Sequence, residues 1–134
     1  MIRVVHFIHG LNMGGAETLV KNYALLLDKS KFNVTVLCYT RCDSPYETIL
    51  QQNNIPVVYL CDEMPFYEKT GLIAKLVNRF QRYWLVRREL QQLDPDIVHF
   101  HLSLSDYVRF SGLKKSVKPP VGLRHNGHFQ TLRL

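Results

Sequence analysis

The chain has 134 residues, 46% of them hydrophobic and 21% charged, a balance that excludes an intrinsically disordered polypeptide and provides for one domain with a single core. Seventeen Lys and Arg against eleven Asp and Glu give a net charge of +6, which admits nucleic acid, an anionic membrane or a phosphorylated ligand as partner. The longest apolar run falls far short of the ~20 residues that span a bilayer, and the N-terminus lacks a signal-peptide pattern, so a cytoplasmic protein is expected.

Short β-branched runs alternate with longer stretches of helical periodicity, the pattern of parallel strands joined by crossover helices. Strand 2–8 comes first, and its nearly continuous apolar character marks a strand buried on both faces. Helix 16–28 follows, with Leu19, Val20, Tyr23, Leu26 and Leu27 on one side. After strand 32–39, helix 44–52 opens on Ser44-Pro45, a pair suited to an N-cap and first helical position. Strand 56–60 then leads to a long helix, 70–93, which carries Ile73, Leu76, Val77, Phe80, Trp84, Leu90 and Leu93 at spacings of three and four. Asp94-Pro95 stops it. Strand 97–100, helix 105–115 and strand 121–123 complete the predicted order. Five parallel strands with right-handed crossovers make an α/β, doubly wound sheet of order 3-2-1-4-5. In that order the chain reverses between the first and fourth strands, and the segments 9–17 and 101–106 face each other across a crevice at the carboxyl edge, where ligands bind. No repeat or interior linker divides the chain. Cys38, Cys42 and Cys61 are odd in number and lack C-x-x-C spacing, so free thiols are expected, with neither a disulfide framework nor a structural zinc site.

The most specific stretch is His9-Gly10-Leu11-Asn12-Met13-Gly14-Gly15-Ala16-Glu17, a glycine-rich turn from the first strand into the first helix. Such a turn lets backbone N–H groups approach an anion, and the positive end of the helix favours phosphate there; the plainer alternative is a tight turn in which Gly supplies positive φ. Ala16 and Glu17 stand where a P-loop needs Lys and Ser or Thr, and G-x-G-x-x-G is missing, so ATP hydrolysis and a standard NAD site both lose ground.

The six histidines form three pairs, His6/His9, His99/His101 and His125/His128, at the carboxyl ends of the first, fourth and fifth predicted strands. His6 and His99 are flanked by apolar residues and are expected in the core. His101 and His125 begin polar loops, where an imidazole can serve a ligand. His99-Phe100-His101 puts two imidazoles on one side of a strand, but with only Asp106 near in sequence no metal is expected. From residue 69 to 93, Lys69, Lys75, Arg79, Arg82, Arg87 and Arg88 stand against Glu89 alone, so five of the six net charges lie in one segment. With Phe80, Tyr83 and Trp84 it makes a basic amphipathic helix that suits an anionic lipid surface, or else a solvated face over a buried Ile, Leu and Phe stripe. No recognised nucleic-acid motif accompanies the charge.

In the order and spacing of these pieces the chain resembles the N-terminal half of a GT-B glycosyltransferase, most closely glycosyltransferase family 4. The resemblance rests on Met13-Gly14-Gly15-Ala16-Glu17 after the opening strand, Val34-Thr35-Val36, Asn54-Ile55-Pro56-Val57, and Asp94-Pro95-Asp96-Ile97-Val98-His99-Phe100-His101, with a His-containing turn at His125. It implies a Rossmann-like domain, 1–134, forming the acceptor-side half of a GT-B architecture whose C-terminal, donor-binding domain the chain lacks, so that the fragment alone is inactive. The activity it implies is hexosyl transfer from a UDP- or GDP-sugar to a glycan or lipid-linked acceptor, with retention, as in polysaccharide biosynthesis. No metal and no cofactor take part, the nucleotide-sugar being a substrate. Gly14 and Gly15 then lie near the donor diphosphate and His125 near the transferred sugar, with Asn12, His101 and Asn126 as further sugar or acceptor contacts. Lys75, Arg79, Arg82 and Arg87 are the candidate contacts for the inner face of a membrane. Two readings from other classes stand beside it: a nucleotide- or NAD-binding oxidoreductase domain, with Asp43 as its acid, and a non-catalytic flavodoxin-like interaction module.

Overall fold

A computed structural model describes residues 1–65, 67–101 and 130–133, the last four by backbone alone. β1 (Ile2–Ile8) leads into α1 (Gly15–Leu26), β2 (Phe32–Cys38), α2 (Pro45–Gln52) and β3 (Val57–Tyr59). A short 3-10 turn (Leu60–Glu63) precedes α3 (Leu72–Leu93), and then come β4 (Ile97–Phe100) and β5 (Gln130–Arg133). β1 to β4 form the expected parallel sheet in the order 3-2-1-4. The edge beyond β4 differs from expectation: β5 lies there antiparallel, with Ile97 opposite Arg133. The strand expected at 121–123 and the helix at 105–115 lie outside the described residues.

Local chemistry accounts for the boundaries. Ser44 caps α2 by accepting the Glu47 N–H, and Pro45 stands at its first position, where a missing N–H costs nothing. α3 ends where Asp94 turns left-handed (φ 43°) and Pro95 cannot continue the helix. The chain re-enters the sheet at once. The Asp96 carboxylate accepts the Arg3 N–H (2.8 Å), the Asp96 N–H donates to the Arg3 carbonyl (2.9 Å), and the Arg3 guanidinium reaches Asp94 (2.7 Å). The guanidinium pair is exposed and worth only about 0–1 kcal/mol, so its partner backbone bonds matter more, setting Val4 opposite Ile97.

Two cores flank the sheet. On one face Val4, Ile8, Val34, Val36 and Cys38 pack beneath α1 and α2 through Val20, Ala24 and Leu50. On the other, Val5, Phe7, Leu37, Val98 and Phe100 meet Leu85, Val86 and Leu90 of α3. The apolar packing of α3 into the core comes from Leu85, Val86 and Leu90 in its second half, although Asn78 of the first half is also buried. Leu72, Ile73, Leu76, Phe80 and Trp84 are exposed, Phe80 by 72% and Trp84 by 61%, so the upstream part of the periodic stripe does not cover the core. Cys38, Cys42 and Cys61 are free thiols, and burial pushes all three upward in pKa, away from reactivity.

This division of α3 is checked by paired truncations in urea unfolding. Leu90→Ala should cost about 2–5 kcal/mol, the cavity penalty of a buried leucine, whereas Phe80→Ala should change stability by no more than about 0.5 kcal/mol. Equal losses would mean that α3 packs along its whole length.

Candidate functional site

Residues 9–14 carry the chain from β1 over the carboxyl edge of the sheet into α1. The turn is pinned from below: Leu11 is buried, and its carbonyl accepts the Ser44 hydroxyl at the start of α2. The Gly14 carbonyl accepts both the N–H (2.9 Å) and the hydroxyl (2.7 Å) of Thr18, whose oxygen also meets the Tyr46 hydroxyl at 2.9 Å. Gly10 is glycine for room, since a Cβ there would lie 2.6 Å from the Cys42 Sγ.

Gly14 and Gly15 need another explanation. Gly14, the N-cap of α1, is extended (φ −109°), and Gly15 is not among the residues with positive φ, so neither supplies the conformation that the plainer turn reading requires. A Cβ on Gly15, which is exposed, would meet nothing within 4 Å among the described residues. Among those residues no side chain caps α1, so its first-turn N–H groups are not satisfied there by a capping hydroxyl or carboxamide. The Glu17 carboxylate folds back to where a Gly14 side chain would project and places negative charge at the positive end of the helix. Asn12 and Met13 are exposed beside the turn.

The histidines depart from expectation. His101 belongs to the interior: it is buried, and its Nε2 lies 3.1 Å from the Nδ1 of His6, with which it shares a hydrogen bond. His99 is opposite His6 in the register of β1 and β4 and is half-buried, its ring edge-on to His6 at 5.1 Å. Tyr23 of α1 stacks on the other side of His6. The three imidazoles form one cluster, with one nitrogen from each within 4.8 Å of the others. Pairing His99 with His101 needs only strand alternation, but adding His6 needs the register between β1 and β4, which no local pattern carries. Burial and the neighbouring imidazoles hold His6 down to about pKa 3, burial and His99 hold His101 down to about 4, and burial alone lowers His99. All three are neutral at physiological pH. His6 Nε2 is buried without a partner among the described residues, a position that costs about 1–3 kcal/mol.

A second corner forms where β1 and β2 leave the sheet. The His9 ring lies 5.2 Å from that of Tyr39, Arg82 of α3 stacks over the same tyrosine at 4.5 Å, and Tyr67 packs edge-on and donates its hydroxyl to Thr40. Partial desolvation and Arg82 lower the pKa of His9. Arg82, expected at the membrane face, is thus drawn in towards the carboxyl edge, whereas Lys75, Arg79 and Arg87 remain exposed on α3. Asp43 lies in the loop after β2 with positive φ. His125, Asn126 and His128 lie outside the described residues.

A parallel sheet whose strand order reverses beside β1, with a glycine turn and a helix N-terminus at its carboxyl edge, defines a Rossmann-like α/β domain. The chain belongs to glycosyltransferase family 4, whose family model matches residues 13–133. It is therefore a glycosyltransferase domain, which sets aside the oxidoreductase and interaction-module readings. No curated protein and no solved structure matches it.

The depressed histidines make stability depend on pH with a definite sign. Above about pH 6.5 the imidazoles are neutral whether the chain is folded or not, and their contribution is fully present. As pH falls towards 4 the unfolded chain takes up protons that folded His6 and His101 refuse, so stability is lost. Urea unfolding should show a loss of about 1–2 kcal/mol per histidine between pH 7 and 5, and the slope should be shallower in His6→Gln. An unchanged slope in that variant would show that folding does not lower the pKa of His6.

Proposed function

We propose that the chain is the acceptor-side, N-terminal half of a retaining GT-B enzyme, transferring a hexose from a UDP- or GDP-sugar to a glycan or lipid-linked acceptor. The observation that carries this reading is the space left at Gly15, beside the uncapped first turn of α1. As the sugar departs, negative charge grows on the donor diphosphate, and N–H dipoles fixed at that point stabilise the transition state more than the ground state. The Glu17 carboxylate swings away from Gly14 as the diphosphate arrives, exchanging one anion at the helix end for another. A second domain supplies most of the donor contacts, so 1–134 by itself does not turn over. The chemistry needs neither metal nor cofactor. His125, with Asn126 and Asn12, contacts the sugar or acceptor. His101 acts from beneath, through its hydrogen bond to His6.

In the full-length enzyme Gly15→Val should abolish transfer while circular dichroism stays unchanged, because the added side chain meets no other described residue. His125→Ala should lower kcat by on the order of 10²-fold, the scale of losing one transition-state donor. A folded His125→Ala enzyme with wild-type kcat/KM would make His125 structural.

The exposed face of α3 supports peripheral attachment to the inner membrane surface, close to a lipid-linked acceptor. Leu72, Ile73, Leu76, Phe80 and Trp84 project beside Lys75, Arg79 and Arg87, so apolar insertion and attraction to anionic headgroups act together. No helix among the described residues is long and apolar enough to cross a membrane, so attachment is by docking. In sedimentation with vesicles, binding should require anionic lipid and fall steeply with salt. Lys75→Glu with Arg79→Glu should weaken it about tenfold or more, since each surface charge contributes ~1 kcal/mol. Equal binding to neutral vesicles would refute the electrostatic account.

A further inference from the structure

We propose that His6, His99 and His101 form a binding site for one divalent transition-metal ion of the zinc class, joining β1 to β4 beneath the crevice. The register sets His6 opposite His99, and His101 follows two residues later, so all three side chains leave the same face of the sheet. One nitrogen from each ring lies within 4.8 Å of the other two, and the His6 Nδ1 and His101 Nε2 are already 3.1 Å apart. Two nitrogens bound to zinc at about 2.0–2.1 Å in tetrahedral geometry are about 3.3–3.4 Å apart, so that pair needs only a small adjustment. His99 must move further. Its ring is half-buried, and among the described residues no hydrogen bond holds it, so side-chain rotation can bring it in.

Two features favour an ion over a plain hydrogen-bonded core. The rings are neutral, the form in which imidazole binds metal. The donor set is imidazole only, which suits zinc, copper or nickel and disfavours calcium and magnesium, whose ligands are oxygens. Three protein ligands leave a fourth position for water. The ion takes no part in the proposed sugar transfer. Its effect is to tie the central strand, β1, to β4 at the carboxyl edge of the sheet.

The test uses the full chain, prepared without a histidine tag and stripped with chelator, titrated with Zn²⁺ by calorimetry and with Co²⁺ by visible absorption. One equivalent should bind with a Kd of about 1 μM or tighter, and Co²⁺ should give the intense bands of a four-coordinate site. His99→Ala, which removes a half-exposed ring and should fold normally, should weaken Zn²⁺ binding at least about tenfold, as should His6→Gln. His9→Ala serves as the control and should leave it unchanged. Failure to bind stoichiometrically at 100 μM Zn²⁺ (roughly a hundred times the expected Kd), or binding that survives His99→Ala unaltered, overturns the proposal.

Discussion

Everything at the carboxyl edge depends on β1 being hydrogen-bonded along both of its sides. β2 pairs with it from Ile2 to Ile8 on one flank, and β4 pairs from Val4 to Phe7 on the other. A strand so placed has no free edge, and from Val4 to Ile8 every one of its side chains is buried. Its successor loop has one way out, over the carboxyl end, between the strands on either side. The place of the glycine turn is thus a result of strand order before it is a result of any side chain. Apolar burial, at about 1.5–3 kcal/mol for each large side chain, holds β1 there. The hydrogen bonds of the Arg3 backbone to Asp96 determine only which residue faces which.

Charge is kept apart from that centre. The interior of the site is neutral imidazole and glycine backbone, while Lys75, Arg79 and Arg87 are exposed on α3, on the other side of the sheet from α1. A diphosphate at the start of α1 would be met by fixed dipoles, which need no reorganisation as charge develops. A lipid surface would be met by mobile lysine and arginine side chains, which lose less by staying hydrated. Arg82 is the exception, because stacking on Tyr39 brings one cation of α3 round to the carboxyl edge beside His9.

Much of the fold was legible because its signals are local. β1 and β4 begin and end where continuous apolar runs do, and Ser44-Pro45 and Asp94-Pro95 mark helix ends by their own backbone chemistry. The membership in glycosyltransferase family 4 was legible in the same way, as an ordered set of short motifs. What escaped depends on pairing between distant segments. Periodicity showed that α3 has an apolar stripe, but not that only Leu85 to Leu90 would find the sheet. Polar neighbours in sequence placed His101 in a loop, yet strand alternation and the proximity of His6 put it inside. At the sheet edge, strand periodicity gave no sign that Gln130–Arg133 would run antiparallel to β4.

The bond between Arg3 and Asp96 spans 93 residues, whereas Ile2 meets Phe32 after only thirty. Closing the longer loop costs about 1 kcal/mol more in chain entropy. The unit β1-α1-β2-α2-β3 can therefore assemble around its own core, with β4 and α3 joining later. On that order the glycine turn exists before His99 and His101 reach His6, and the imidazole cluster is the last of these features to take shape. It is also the first to be lost when β4 detaches, so local unfolding at that strand would take the cluster apart while most of the secondary structure persists.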